Sequence, residues 1–313
     1  MPKNRTLQRL RRWAVCLGAR LTQTLLKLLP FDVAVAVGGR LGNLAFVVLG
    51  SERRKTLKHL IQAFGQEKSA SEIREIARRL FINAGRAAAE GMLSSRWSED
   101  FLRRRISLKD PEPFVQLQRS GRGIVILTGH FGNWEMMGAY AAKVLGANLG
   151  VIARRLSNPY LDRLTNRLRQ RIGMKVFLRG EGVRSFYRHL MDGGVLAILA
   201  DQDIRRLDGI FVDFFGRPAH TVTGPAELIL RSGSPWFYAV LVRQPDGRSH
   251  QLYWEGPLAV PEGDDHGTKV RRLVEDYTYR MEEMIRRHPD QWMWMHNRWR
   301  REPKCSPDKN GSG

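Results

Sequence analysis

The stretch Gly123-Ile124-Val125-Ile126-Leu127-Thr128-Gly129-His130-Phe131-Gly132-Asn133-Trp134-Glu135 constrains the fold more than any other part of the chain. Its first half is an apolar run rich in β-branched residues and bounded by glycine and threonine, the pattern of a strand buried on both faces. Its second half turns and runs into a helical pattern through Glu135-Met136-Met137-Gly138-Ala139-Tyr140-Ala141-Ala142. Doubly buried strands alternating with helices make an α/β sheet. His130 then stands at a strand's carboxyl end, where open α/β sheets bind their ligands.

Gly129 and Gly132 permit a tight turn and close approach of another molecule to the backbone. Amides at the start of the following helix have no intrahelical partner and can face a developing negative charge. Glu135 lies early in that helix, from where its carboxylate is expected to fold back onto the imidazole; an imidazole held this way is a general base of fixed tautomer. The spacing alone is weak: with 31 acidic residues and eight histidines in 313 residues, roughly one His-x4-acid pair arises by chance. His250 and Glu255 repeat the spacing, but Gln251-Leu252-Tyr253-Trp254 reads as a strand, where positions five apart face opposite sides.

Other strand ends carry charge. Val151-Ile152-Ala153 leads to Arg154-Arg155 and Asn158-Pro159; Phe177-Leu178 leads to Arg179-Gly180; Val195-Leu196-Ala197-Ile198-Leu199-Ala200 leads to Asp201-Gln202-Asp203. Guanidinium groups in such places recognise phosphate and carboxylate bidentately. Two acids two apart also suit metal ligation or loop capping. Strands are predicted at 124–127, 149–153, 175–178, 195–200, 237–242 and 250–254, with helices at 133–145, 158–172, 181–192 and 222–232.

These blocks, with Phe214-Phe215-Gly216-Arg217-Pro218 and Pro289-Asp290-Gln291-Trp292-Met293-Trp294, resemble the bacterial lipid A late acyltransferases and, more widely, the glycerolipid acyltransferase superfamily. The resemblance spans residues 5–300 and departs from the family at Arg155, where proline is common. It implies a mixed, largely parallel sheet flanked by helices, and acyl transfer by direct general-base attack with no metal or cofactor. It places His130 and Glu135 as catalytic residues and Gly132, Asn133, Arg154, Arg179, Asp201 and Asp203 as substrate-binding residues, with Asp201 holding an arginine or an N–H group. The aromatics at 214–215 are expected to wall the acyl chain. No Gly-x-Ser-x-Gly nucleophile elbow is present.

The net charge is +21, which calls for an anionic partner. An acyl carrier protein or acyl-coenzyme A as donor, an anionic membrane glycolipid as acceptor and the membrane surface itself all fit. A nucleic-acid partner is not expected, because no recognised module appears and the basic residues are spread along the chain. The two cysteines, Cys16 and Cys305, do not form a disulfide framework and fit a reducing compartment.

Residues 1–50 are expected to associate with membrane. Leu10, Leu17, Leu21, Leu25 and Leu28 fall at helical spacing among Arg9, Arg11, Arg12, Arg20 and Lys27, and residues 33–50 are apolar but interrupted by Arg40 and Asn43. The pattern is not a signal peptide. It suits a helix lying in the interface, or a single N-terminal anchor; the family resemblance implies the cytoplasmic face of the inner membrane. Residues 51–302 form the expected acyltransferase domain and 303–313 an unstructured tail. Trp292 and Trp294 suit either a membrane-interface belt or internal packing. Other readings of the same sequence are acylation of a phosphatidylinositol mannoside or a lysophospholipid, and a catalytically silent lipid binder.

Overall fold

The computed structural model describes residues 3–180, 182–262 and 265–303, with side chains from residue 7 onward. From residue 304 the expected unstructured tail, with Cys305, lies outside the described residues.

Four helices lead the chain: α1 (Lys3–Lys27), α2 (Phe31–Val48), α3 (Gly50–Phe64) and α4 (Ala70–Met92). Then follow α5 (Glu99–Arg105), β1 (Ile106–Leu108), α6 (Glu112–Arg119), β2 (Ile124–Thr128), α7 (Trp134–Lys143), β3 (Leu149–Ala153), α8 (Pro159–Arg171), β4 (Lys175–Leu178), α9 (Val183–Met191) and β5 (Val195–Leu199). The chain continues through β6 (Gly209–Phe214), β7 (Arg217–Val222), α10 (Gly224–Ser232), β8 (Trp236–Arg243), β9 (His250–Leu258) and α11 (His266–Arg287).

The main sheet has seven strands in the order β1-β9-β8-β2-β5-β3-β4. All neighbours are parallel except β8 and β9, so the sheet is mixed and largely parallel, as expected. Every residue of β2 is buried, as its unbroken apolar run requires. Pairing of Thr128 with Leu199, and of Ala153 with Leu178, brings the carboxyl ends of β2, β5, β3 and β4 to one edge. His130, Asp201, Arg154 and Arg179 follow those four strands directly.

Two features differ from the sequence reading. Residues 209–222, where no strand is predicted, form the antiparallel hairpin β6–β7. Its two-residue loop, Phe215-Gly216, takes φ of 57° and 68°, the left-handed pair that matches strand twist. Phe214 and Phe215 are buried core residues, ringed by Phe64, Trp292 and Trp294; they do not line the cavity beside His130 described below and so do not form the expected acyl-chain wall there. Trp292 and Trp294 are likewise sealed, at 1% and 0% exposure, which excludes them from a membrane belt.

Ser69 and Glu72 form a reciprocal capping box at the start of α4, as Ser-x-x-Glu predicts. α2 lies against α4 through glycines: a Cβ on Gly38 would sit 2.6 Å from the Gly85 carbonyl oxygen, and one on Gly42 would sit 2.1 Å from that of Phe81. The opposite side of α2 is apolar and uncovered at Val33, Leu41, Leu44, Val47 and Val48. α1 adds Leu10, Trp13, Leu17, Leu21 and Leu25, all exposed. By length and composition α2 can cross a membrane; its mean hydropathy is 1.5 and a third of it is buried in protein.

Candidate active site

The turn after β2 is locked from several directions. Gly132 has φ of 55°, and a Cβ there would lie 1.8 Å from the Leu241 carbonyl oxygen, so both conformation and contact demand glycine. A Cβ on Gly129 would come within 3.0 Å of the Asp201 carboxylate. The chain after α11 runs antiparallel beside the turn: Phe131 bridges Trp292, the Gly132 amide donates to the Gln291 carbonyl (2.8 Å) and the Met293 amide donates to the His130 carbonyl (3.0 Å).

Asp201 organises what this turn presents. One carboxylate oxygen accepts from His130 Nδ1 at 2.8 Å; the other accepts from the His130 amide at 2.8 Å and from Trp292 Nε1 at 2.9 Å. The Asp201 side chain is 2% exposed. Burial alone would raise its pKa, but His130 and these donors hold it below the ordinary aspartate value. Burial pulls the imidazole pKa of His130 down; the charge and hydrogen bond of Asp201, then Glu135, outweigh it and leave it above the ordinary value. With Nδ1–H committed to Asp201, Nε2 is the basic nitrogen. The Gln202 amide nitrogen stands 3.4 Å from it.

The imidazole therefore has a different partner from the one expected. Glu135 does not fold back onto it but takes Arg169 of α8, whose Nε lies 3.0 and 3.1 Å from the two carboxylate oxygens while a terminal nitrogen binds one of them. Glu135 acts on His130 through space. The Trp134 ring packs edge-on to the imidazole, with centroids 5.1 Å apart.

His130, Glu135 and Arg169 open onto a cavity of about 770 Å³ between the sheet face and helices α7 and α8. Its inner wall is apolar: Met137, Gly138, Val151, Met174, Ala197 and Leu199. Arg154, Arg179, Arg205, Arg206 and Arg300 surround its mouth. Of the adjacent arginines 154 and 155, Arg154 is the one that lines it. An apolar slot with a basic rim, and a base where the two meet, suits a ligand with a hydrocarbon tail and an anionic head.

A family model described as bacterial lipid A biosynthesis acyltransferase matches residues 1–301. The chain belongs to this family. It is 27% identical to the lipid A biosynthesis lauroyltransferase of Escherichia coli over 300 residues, 96% of this chain and 95% of the relative. It is 24% identical to the palmitoleoyltransferase of the same organism over 278 residues, 88% and 87% of the two chains. It is also 27% identical to a phosphatidylinositol mannoside acyltransferase of Mycolicibacterium smegmatis over 184 residues, 58% of each.

For a lipid A acyltransferase family member, several residues expected at the substrate have other occupations here. Asn133 is buried: its oxygen caps α7 at the Met136 amide (3.0 Å), and its nitrogen donates to Glu90 (2.7 Å). Gly132 faces Leu241 and Gln291 rather than the cavity. Asp203 reaches the cavity wall, but its carboxylate is bound by Arg301. The two acids of Asp201-x-Asp203 thus serve separate partners. Asn158 caps α8 at the Tyr160 amide and donates to the Arg12 carbonyl of α1. Sequence reasoning missed Arg169, though a signal existed: Asp162, Thr165, Asn166 and Arg169 all line the cavity, at the spacing of one helix face.

Proposed function

We propose that the protein transfers a fatty acyl group from an acyl thioester, carried by acyl carrier protein or coenzyme A, to a hydroxyl of an anionic membrane glycolipid such as a lipid A precursor. The observation that carries this reading is His130 Nε2 beside the apolar cavity, touched only by the Gln202 side-chain amide at 3.4 Å among the described residues, its other nitrogen tied to Asp201. The acceptor hydroxyl gives its proton to Nε2 while its oxygen attacks the thioester carbonyl, forming the C–O bond. The carbonyl π pair moves onto oxygen. On collapse the C=O re-forms, the C–S bond breaks and the thiolate takes the proton back from Nε2. No acyl-enzyme intervenes. Glu135 holds Arg169 at the cavity wall, and the rim arginines take the phosphates of donor and acceptor.

The exposed apolar sides of α1 and α2, interleaved with basic residues, seat the protein on an anionic leaflet, which fits the cytoplasmic face of the inner membrane. The test is incubation of the purified full-length protein with labelled dodecanoyl-carrier protein or dodecanoyl-coenzyme A and bacterial lipid extract, followed by mass analysis. The expected result is a glycolipid heavier by one acyl group. Acylation confined to added phosphatidylinositol mannoside or lysophospholipid would replace the acceptor; no product from any thioester would defeat the reading.

A further inference from the structure

We propose that His296 is a second catalytic histidine: its ring Nδ1–H, turned to the cavity as a neutral donor, binds the carbonyl oxygen of the acyl thioester as negative charge develops there. The inference rests on the acyl-transfer reading above and adds a residue to it.

A tetrahedral intermediate needs donors placed where its oxyanion forms. The amides of His130, Phe131 and Gly132 in the turn after β2 do not supply them. That of His130 is spent on Asp201, that of Phe131 on the Gly129 carbonyl and that of Gly132 on the Gln291 carbonyl. His296 lines the same cavity as His130. Its Nε2 accepts a hydrogen bond from the Asp203 amide at 3.1 Å. An amide can only donate, so Nε2 is unprotonated and the ring proton sits on Nδ1. Among the described residues Nδ1 has no hydrogen-bond partner, and it is not one of the side-chain atoms sealed from solvent without one.

The ring also keeps that proton arrangement. Burial lowers the His296 pKa to about 4; Asp201 opposes this, while Arg300, His130 and Arg298 reinforce it. A neutral imidazole donates a hydrogen bond without carrying a proton away. One three-residue segment therefore orients two imidazoles in opposite senses. The Asp201 carboxylate makes His130 a base, and the Asp203 amide makes His296 a donor. Paired groups whose environments drive their pKa values apart are how a site divides acid and base roles. In the reaction the proton passes from the acceptor hydroxyl to His130 Nε2 and then to the departing thiolate, while His296 keeps its own throughout.

Two substitutions separate this role from mere support of the loop. His296→Gln puts an amide oxygen near Nε2, keeping the acceptor for the Asp203 amide but removing the donor at Nδ1. His296→Asn does the reverse. Measured on the purified full-length protein with dodecanoyl-carrier protein and lipid extract, His296→Gln is expected to lower kcat about 10²- to 10³-fold, the usual loss for one oxyanion donor. The KM for the thioester should change little, and His296→Asn should retain clearly more activity. A supporting role predicts the opposite order. A second readout uses His130→Ala, in which thioester binds without turning over: the infrared C=O band of ¹³C-labelled bound thioester should move to higher frequency when His296→Gln is added. An unmoved band, or Gln activity equal to or above that of Asn, overturns the inference. Loss of turnover by the unsubstituted protein would instead defeat the acyl-transfer reading itself.

Discussion

Two histidine–carboxylate clusters lie on either side of the turn after β2, and they behave in opposite ways. At the first, His130 makes a 2.8 Å hydrogen bond to Asp201 and keeps a quarter of its side chain exposed. At the second, His250 stands 3.8 Å from Glu90 and is wholly enclosed. Glu90 spends its oxygens on Arg243, at 2.7 and 2.5 Å, and on Asn133. Neither ring nitrogen of His250 finds a partner. Burial drives the pKa of His250 to about 4 despite the attraction of Glu90, whereas His130 is held above the ordinary value. Nearness to a carboxylate does not make a base. A hydrogen bond that fixes one nitrogen, with access for the other, does. The sealed cluster plays a structural part instead, bracing through Asn133 the turn that carries His130.

The contrast is broken most directly at the open cluster. His130→Ala is expected to reduce turnover about 10⁴-fold, the upper range for loss of a general base, while circular dichroism and vesicle binding stay as in the unsubstituted protein. Asp201→Asn should cost about 10²- to 10³-fold within that same range and also move the pH profile. The base form of His130 exists above its raised pKa, so kcat/KM climbs with pH through a value above 6.5. Removing the carboxylate leaves burial in control, and the rising limb shifts to lower pH. Glu135→Gln should cost only about tenfold, because its carboxylate positions Arg169 and touches His130 through space alone; a loss equal to that of Asp201→Asn would return Glu135 to the place expected from spacing. At the sealed cluster, His250→Leu should leave turnover within about twofold and Tm no lower, since it removes two unpaired buried nitrogens.

How far the sequence discloses this arrangement depends on the range of the interaction. Strand β2, the turn and α7 are legible because their signals are local: an apolar run, two glycines and a 3.6-residue period. The capping box at Ser69 is local too. The partner of His130 is not, for Asp201 lies 71 residues away and meets it only because β5 pairs beside β2. Knowing that Asp201 follows a buried strand locates it at the right edge without saying which group it will hold. Glu135 is the nearer candidate by spacing, and nothing within that segment reveals that α8 brings Arg169 to claim it. The hairpin β6–β7 is concealed because Phe215, not glycine, opens its left-handed loop. Trp292 and Trp294 carry no mark in composition that separates a lipid-facing ring from a packed one; their burial follows from the segment's return to the β2 turn.

The glycine seam between α2 and α4 has a mechanical consequence. Backbones in such close contact leave no compressible layer of side chains between them, so α2 and α4 shift as a unit. α4 carries Glu90, and Glu90 holds Asn133 three positions from the imidazole. In the proposed seating, with α2 in lipid, a rigid strut runs from the bilayer to His130. On that seating the protein's own skeleton sets the height of His130 above the hydrocarbon, and the proposed acyl transfer reaches only hydroxyls presented at that level.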